Sequence, residues 1–164
     1  MSGPALDRLP QPFTFLPAAE LADESLNLVL HECQPAEASV WQVPAYIFHI
    51  QLRATGEIIG RVSLRIASED QLKYSGHVGY QIDSDYRGNH YAERAARLVL
   101  SIARRHGFSE VWITCNPDNP ASQRTIERLG ATFIETVDVP DDYPMPAGAI
   151  RQKRRYRLRL DPLP

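Results

Sequence analysis

The sequence predicts a single α/β (α+β) domain in which a mixed β-sheet is flanked by helices. Three observations carry this reading. Two runs, Tyr46–Leu52 and Ile58–Ile66, alternate apolar and polar residues as half-buried strands do. The segment Arg87–His106 carries apolar residues at helical spacing between two short apolar runs, and strand, crossover helix, strand predicts a parallel pair. Neither an internal repeat nor a linker interrupts the 164 residues, a length suited to one core.

The elements follow in order. Met1–Gln11 is expected as a flexible lead-in, and residues 12–161 as the domain. Phe13–Leu16 is a candidate first strand. Leu21–Val40 has helical propensity broken by Pro35, so two short helices are expected there. Tyr46, Phe48, Ile50 and Leu52 alternate along the next strand, and Ala54–Glu57 is a turn. In Ile58–Ile66, Val62, Leu64 and Ile66 share one face while Arg61, Ser63 and Arg65 share the other. Ala67–Gly76 is a polar loop. Val78–Ile82 is a central strand, with His77, Gly79 and Gln81 on one side and Val78, Tyr80 and Ile82 on the other.

Arg87–His106 is the clearest helix, with Ala92, Ala95, Ala96, Val99, Leu100 and Ala103 as its apolar stripe and Gly107 as its stop. Glu110–Cys115 is a strand. A second helix opens at Asn119 or Pro120 and ends before Gly130. Thr132–Val139 and Ile150–Leu160 are the last strands, joined by the loop Asp141–Gly148. The basic run Arg151–Arg155 alternates with apolar positions and is expected on a solvated edge strand, where like charges discourage edge pairing.

Composition narrows the function. Hydrophobic residues make up 43% and charged residues 23%, as in soluble globular proteins, and the formal net charge of -2 recommends neither nucleic acid nor an anionic membrane. No apolar stretch is long enough to span a bilayer and no signal segment is evident, so cytoplasm is the expected location. The two cysteines, Cys33 and Cys115, make no disulfide framework, and Cys115 is expected as a small buried hydrophobe. His31, His49 and His106 have no ligand spacing with them, so no metal is expected.

The most informative stretch is Tyr86-Arg87-Gly88-Asn89-His90-Tyr91-Ala92. A turn that feeds free amides into a helix N-terminus binds phosphate, because the amides and the helix dipole both favour anionic charge. Downstream lie Asn116-Pro117-Asp118-Asn119-Pro120-Ala121-Ser122 and Glu127-Arg128-Leu129-Gly130-Ala131. These segments resemble the GNAT superfamily of acyl-CoA-dependent N-acyltransferases, in its ribosomal-protein-type branch. The resemblance is strongest from Gly76 to Phe133. The family's phosphate motif has Arg or Gln first, Gly fourth and Gly or Ala sixth; Arg87, His90 and Ala92 take those positions. His90 is the departure. A histidine can supply the same amide if its backbone is already helical and its ring points away.

The resemblance implies a centrally splayed sheet, with acetyl-CoA as cosubstrate in the gap between Val78–Ile82 and Glu110–Cys115. Arg87, Gly88, Asn89, His90, Tyr91 and Ala92 would wrap the pyrophosphate, with Arg87 shaping the turn. The backbone of Tyr80, Gln81 and Ile82 would pair with the pantetheine arm and supply the oxyanion donor. Asn119 would hold that arm or cap its helix. Ser122 would offer a hydroxyl near sulfur, and it is equally suited to hydrogen bonding at the helix start. His77 is the candidate base, set against a structural role, because imidazole titrates in the useful range. Glu69 and Asp70 would attract an amine, and Tyr143 would close over it.

The expected reaction is direct acetyl transfer from acetyl-CoA to a primary amine in a ternary complex. The acceptor is a small amine, an amino acid or antibiotic, or a protein N-terminus. A homodimer is expected by analogy. A noncatalytic acyl-CoA-binding or sensing module is the alternative. A dinucleotide-binding oxidoreductase is disfavoured, because the glycine order and the ribose-binding acid are missing.

Overall fold

In the computed structural model, which describes residues 13–17 and 20–161, two antiparallel sheets meet edge to edge. The first holds β1 (Leu21–Ala22), β2 (Leu26–Gln34), β3 (Ala45–Leu52), β4 (Ile58–Arg65) and β5 (Val78–Ile82) in sequential order. The second holds β6 (Glu110–Cys115), β7 (Thr132–Asp138) and β8 (Gln152–Arg159) in the order β6-β8-β7. Helix α1 (Tyr91–Arg105) links β5 to β6, and α2 (Pro120–Arg128) follows β6.

The apolar faces of the alternating strands make the core. Phe48 and Ile50 of β3, Val62 and Leu64 of β4, and Ala95, Ala96 and Val99 of α1 are all almost fully buried in one cluster. The apolar stripe of α1 packs there as its spacing dictates, and Gly107, with φ +88°, takes the chain out of the helix. Arg94, on the outer side of α1, is tied to Asp23 of the β1–β2 hairpin by an Nε–Oδ2 contact of 2.8 Å.

Four expectations are corrected. Phe13–Leu16 forms no strand, although Phe15 stacks edge-on against Tyr46. Leu21–Val40 is not two helices but β1, β2 and a short 3-10 turn at Ala36–Ala38. Leu26 and Leu28 point into the core at a period of two, and pairing with β3 (Leu28 opposite Ile50) overrides local helical propensity. The basic strand β8 is not an edge: it lies between β6 and β7, and Arg155 is only 3% exposed. Finally, β5 and β6 share no ladder. Among the described residues, their backbones are joined by one hydrogen bond, from His77 N–H to Trp112 C=O at 2.7 Å. The lead-in Met1–Gln11 lies outside the described residues.

Candidate active site

The gap between the sheets is held shut at one end by His77. Its Nδ1 accepts the backbone N–H of Trp112 at 2.9 Å, and its Nε2 lies 3.0 Å from the carbonyl of Ala67. The first contact makes Nδ1 an acceptor, so Nε2 carries the proton and the ring is neutral. Burial pushes the pKa down to about 4, against the opposing effect of the two backbone partners. Both nitrogens are spent on backbone, and His77 does not line the cavity beyond.

Past that stitch β5 and β6 diverge. Asp83 N–H donates to Ile59 C=O at 2.8 Å, so the backbone groups of Asp83 and of its alternate neighbours Gln81 and Gly79 turn toward β4. Tyr80 and Ile82 therefore turn theirs into the gap. This divides the expected trio: Tyr80 and Ile82 face the opening, whereas Gln81 pairs with Arg61 and sends its side chain to the other face. The Ile82 carbonyl already accepts Arg87 Nε at 2.9 Å.

That bond braces the turn from Arg87 to His90, and Asn89 Nδ2 adds a second brace to the carbonyl of Tyr86 at 3.1 Å. Gly88 has φ +84° and His90 φ +61°. The amides of Gly88, Asn89 and His90 donate to no protein acceptor among the described residues, and no side chain caps α1. The result is a ring of free donors at a helix N-terminus, beside Tyr91 and Ala92, which open the helix.

The backbone at His90 corrects the reading that a helical conformation would excuse the missing glycine. It is left-handed, a region that costs most side chains about 1 kcal/mol. The helix also begins at Tyr91 rather than Arg87, because the four preceding residues make the turn. The His90 ring is engaged by α2, with Arg128 Nη1 donating to its Nδ1 at 2.9 Å.

Within the gap, a cavity of about 240 Å³ is lined by Val78, Gly79, Tyr80, Thr114, Ser122 and Lys153, among others. Asn119 Oδ1 accepts the N–H of Ser122 at 3.1 Å and so caps α2. This places Ser122 on the first turn of α2, where its Oγ lies 2.8 Å from the hydroxyl of Tyr80. Burial pushes the Tyr80 hydroxyl above the ordinary tyrosine value, so it stays protonated and able to donate. Lys153 Nζ donates to Asn116 Oδ1 at 2.6 Å, and burial holds its ammonium below the usual lysine value. Cys115 is buried nearby, and desolvation raises its thiol despite Arg154 and Lys153.

The acidic pair expected to attract an amine is not in this gap. Glu69 is bound to Arg155, which also holds Glu135, and the exposed Asp70 lines neither of the two cavities described here. Tyr143 is at the rim: its ring packs edge-on against Tyr74, which lines the cavity, at 5.0 Å. Sequence reading missed the Tyr80 hydroxyl, Lys153 and Arg65. Arg65 lies on the face opposite Val62, Leu64 and Ile66, where Trp41 covers it with its ring 4.1 Å from the guanidinium carbon. Among the described residues, no group of three or more His, Cys, Asp or Glu is placed to hold a metal, and no helix is long and apolar enough to cross a membrane.

Comparison with known proteins agrees with this geometry. Residues 11–132 match a family model described as an acetyltransferase (GNAT) domain. No curated protein sequence matches the chain significantly. Solved structures share the fold. RimL, a ribosomal L7/L12 α-N-protein acetyltransferase in complex with coenzyme A, superposes with a TM-score of 0.65 at 15% identity, over 87% of this chain and 99% of that one. The microcin C7 self-immunity acetyltransferase MccE, in complex with acetyl-CoA and AMP, gives 0.56 at 21% identity over 71% of this chain; the match spans 61% of MccE's chain. The ribosomal-protein-S5-alanine acetyltransferase of Vibrio fischeri gives 0.57 at 22%, over 70% and 61%. With the family model covering most of its length and the splayed strands, the turn before α1 and the capped second helix in place, the chain belongs to the GNAT acetyltransferase family.

Proposed function

We propose that this acetyltransferase passes the acetyl group of acetyl-CoA to a primary amine by direct attack in a ternary complex. One observation carries the reading. The open backbone edge at Tyr80 and the Tyr80–Ser122 hydroxyl pair border one gap, and the unbonded amides of Gly88 to His90 lie in the turn that follows the same strand. The turn Arg87–Ala92 holds the pyrophosphate through its amides. The edge of β5 holds the pantetheine arm, and the Tyr80 amide faces the oxygen that becomes negative in the tetrahedral intermediate.

The amine nitrogen forms its bond to the thioester carbonyl carbon, and the carbon–sulfur bond then breaks. The sulfur takes a proton from the Tyr80–Ser122 pair, whose members stay protonated at neutral pH. The surplus proton of the amine leaves to water, because His77 has both nitrogens committed to backbone. Holding both reactants side by side at β5 lowers the entropic cost of their encounter. The acceptor is a small amine or a protein N-terminus, the latter suggested by the relatives named for ribosomal-protein acetylation.

Calorimetric titration with acetyl-CoA, against desulfo-CoA and ATP, tests the binding step, and CoA release with a panel of amines tests the transfer. Failure of the folded protein to bind acetyl-CoA would refute the proposal. Saturable binding without CoA release from any amine would leave a noncatalytic acyl-CoA-binding or sensing module.

A further inference from the structure

Two arginines lie buried against tryptophans near the gap, and they are not alike. Arg155, 3% exposed, sits 4.3 Å from the Trp112 ring and is neutralised by Glu69 and Glu135. Arg65, 7% exposed, sits over Trp41 and has no carboxylate among the described residues. Its Nη1 is spent on the carbonyls of Ser75 at 2.8 Å and Gly76 at 3.2 Å. Its Nε is buried without a partner, and its Nη2 donates to nothing in the described chain. An unpaired buried cation opposes folding, because desolvation is not offset by an opposite charge.

The surroundings keep that cation in place. A methyl group at Gly79 would collide with Arg65 Nη2, so the bare backbone of β5 admits the guanidinium. Arg65, Gly79 and Tyr80 line both the gap and a second cavity of about 270 Å³ on the opposite face of β4 and β5. Trp41, Ile47, Arg61, Ser63 and Gln81 line it as well, and among the described residues no Asp or Glu does. Nε is closed off from solvent, so Nη2 is the nitrogen left to meet a carboxylate from the cavity with a charge-assisted hydrogen bond.

We infer that this second cavity is the acceptor site, and that Arg65 binds a carboxylate carried by the acceptor amine. The inference rests on the acetyl-transfer reading and narrows its substrate class to amino-carboxylates: free amino acids, or peptide N-termini with an acidic first residue. The same cationic wall disfavours a protonated amine, so an acceptor anchored there presents the neutral nitrogen that attack requires.

Matched acceptors test this. The first pair is 3-aminopropanoate and propylamine; the second is short peptide amides beginning with Asp or with Asn. Acetyl-CoA binding is measured first by calorimetry, and kcat/KM is then read from CoA release. A carboxylate preference on the order of 100-fold is expected in at least one pair, as for sites built around a buried polar group. The first pair responding alone assigns a free amino acid, and the second a peptide N-terminus. In Arg65→Met and Arg65→Lys the preference is expected to fall to within about tenfold of unity. The ratio is internal to each variant, so a general loss of activity cancels. Equal use of both members of each pair by the wild type, or a preference that survives in both variants, overturns the inference. Acetyl-CoA binding without turnover of any carboxylate amine overturns it alone; absence of acetyl-CoA binding overturns the transfer reading with it.

Discussion

Replacing His77 with Gln is expected to remove most of the acid sensitivity of folding, and the size of the effect follows from the ring's burial. In the folded chain the imidazole is neutral, 2% exposed and held between Ala67 and Trp112, with its pKa pushed down to about 4. In the unfolded chain it titrates near 6.5. A base with a depressed folded pKa leaves stability intact above the unfolded value. That stability is lost as pH falls from about 6.5 toward 4, because the unfolded state takes up the proton first. Between about pH 7.5 and pH 5 the linkage relation gives a loss of about 2 kcal/mol, rising to about 3 kcal/mol once both states are protonated. Urea unfolding of wild type and His77→Gln at the two pH values measures it. His106, whose pKa is also lowered by burial, titrates in both proteins, so the difference between them isolates His77. The variant is expected to be less stable at neutral pH, since it cannot bond both backbone partners, and to lose about 2 kcal/mol less on acidification. An equal acid-induced loss in the two proteins would refute the buried neutral ring. The same variant bears on catalysis: a pH–rate profile of unchanged shape is expected if His77 joins the sheets, and loss of the acidic limb, where a general base becomes protonated, would restore His77 as the base.

Three further outcomes are expected. Tyr80→Phe and Ser122→Ala each remove one member of the hydroxyl pair, and kcat should fall about 10- to 100-fold with little change in the acetyl-CoA KM, as steady-state kinetics will show. At the left-handed His90, substitution by Val should lower stability by about 1–2 kcal/mol in denaturant titrations, whereas Gly should leave it within about 0.5 kcal/mol; a tolerated Val would contradict the backbone assignment. Arg155→Met should cost more than Arg65→Met in the same assay, by about 1 kcal/mol, because it breaks two ion pairs whose carboxylates are half-exposed; equal costs would mean that Arg65 is compensated too.

The strands β3 to β6, helix α1 and the turn before it are legible in the sequence because each is a local pattern. Apolar residues at a period of two or 3.6 state which side of an element will be dry, and a glycine between a strand and an amphipathic run states where the chain turns. Asn119 and Ser122 are legible for the same reason, being three residues apart on one turn. Where the pattern was weak, as in the short alternation of Leu26 and Leu28, pairing with β3 decided between helix and strand.

Charge was the least legible property. Glu69 has the look of a free acid, and Arg65 and Arg155 have the look of solvated side chains, until the fold sets Glu69 against an arginine 86 residues away and leaves Arg65 without a carboxylate among the described residues. The burial of Arg65, the central place of β8 and the commitment of His77 to two backbone partners exist only once distant segments meet. Periodicity records how much of an element is buried; it does not record against what, and the energy of a buried charge depends on its neighbours.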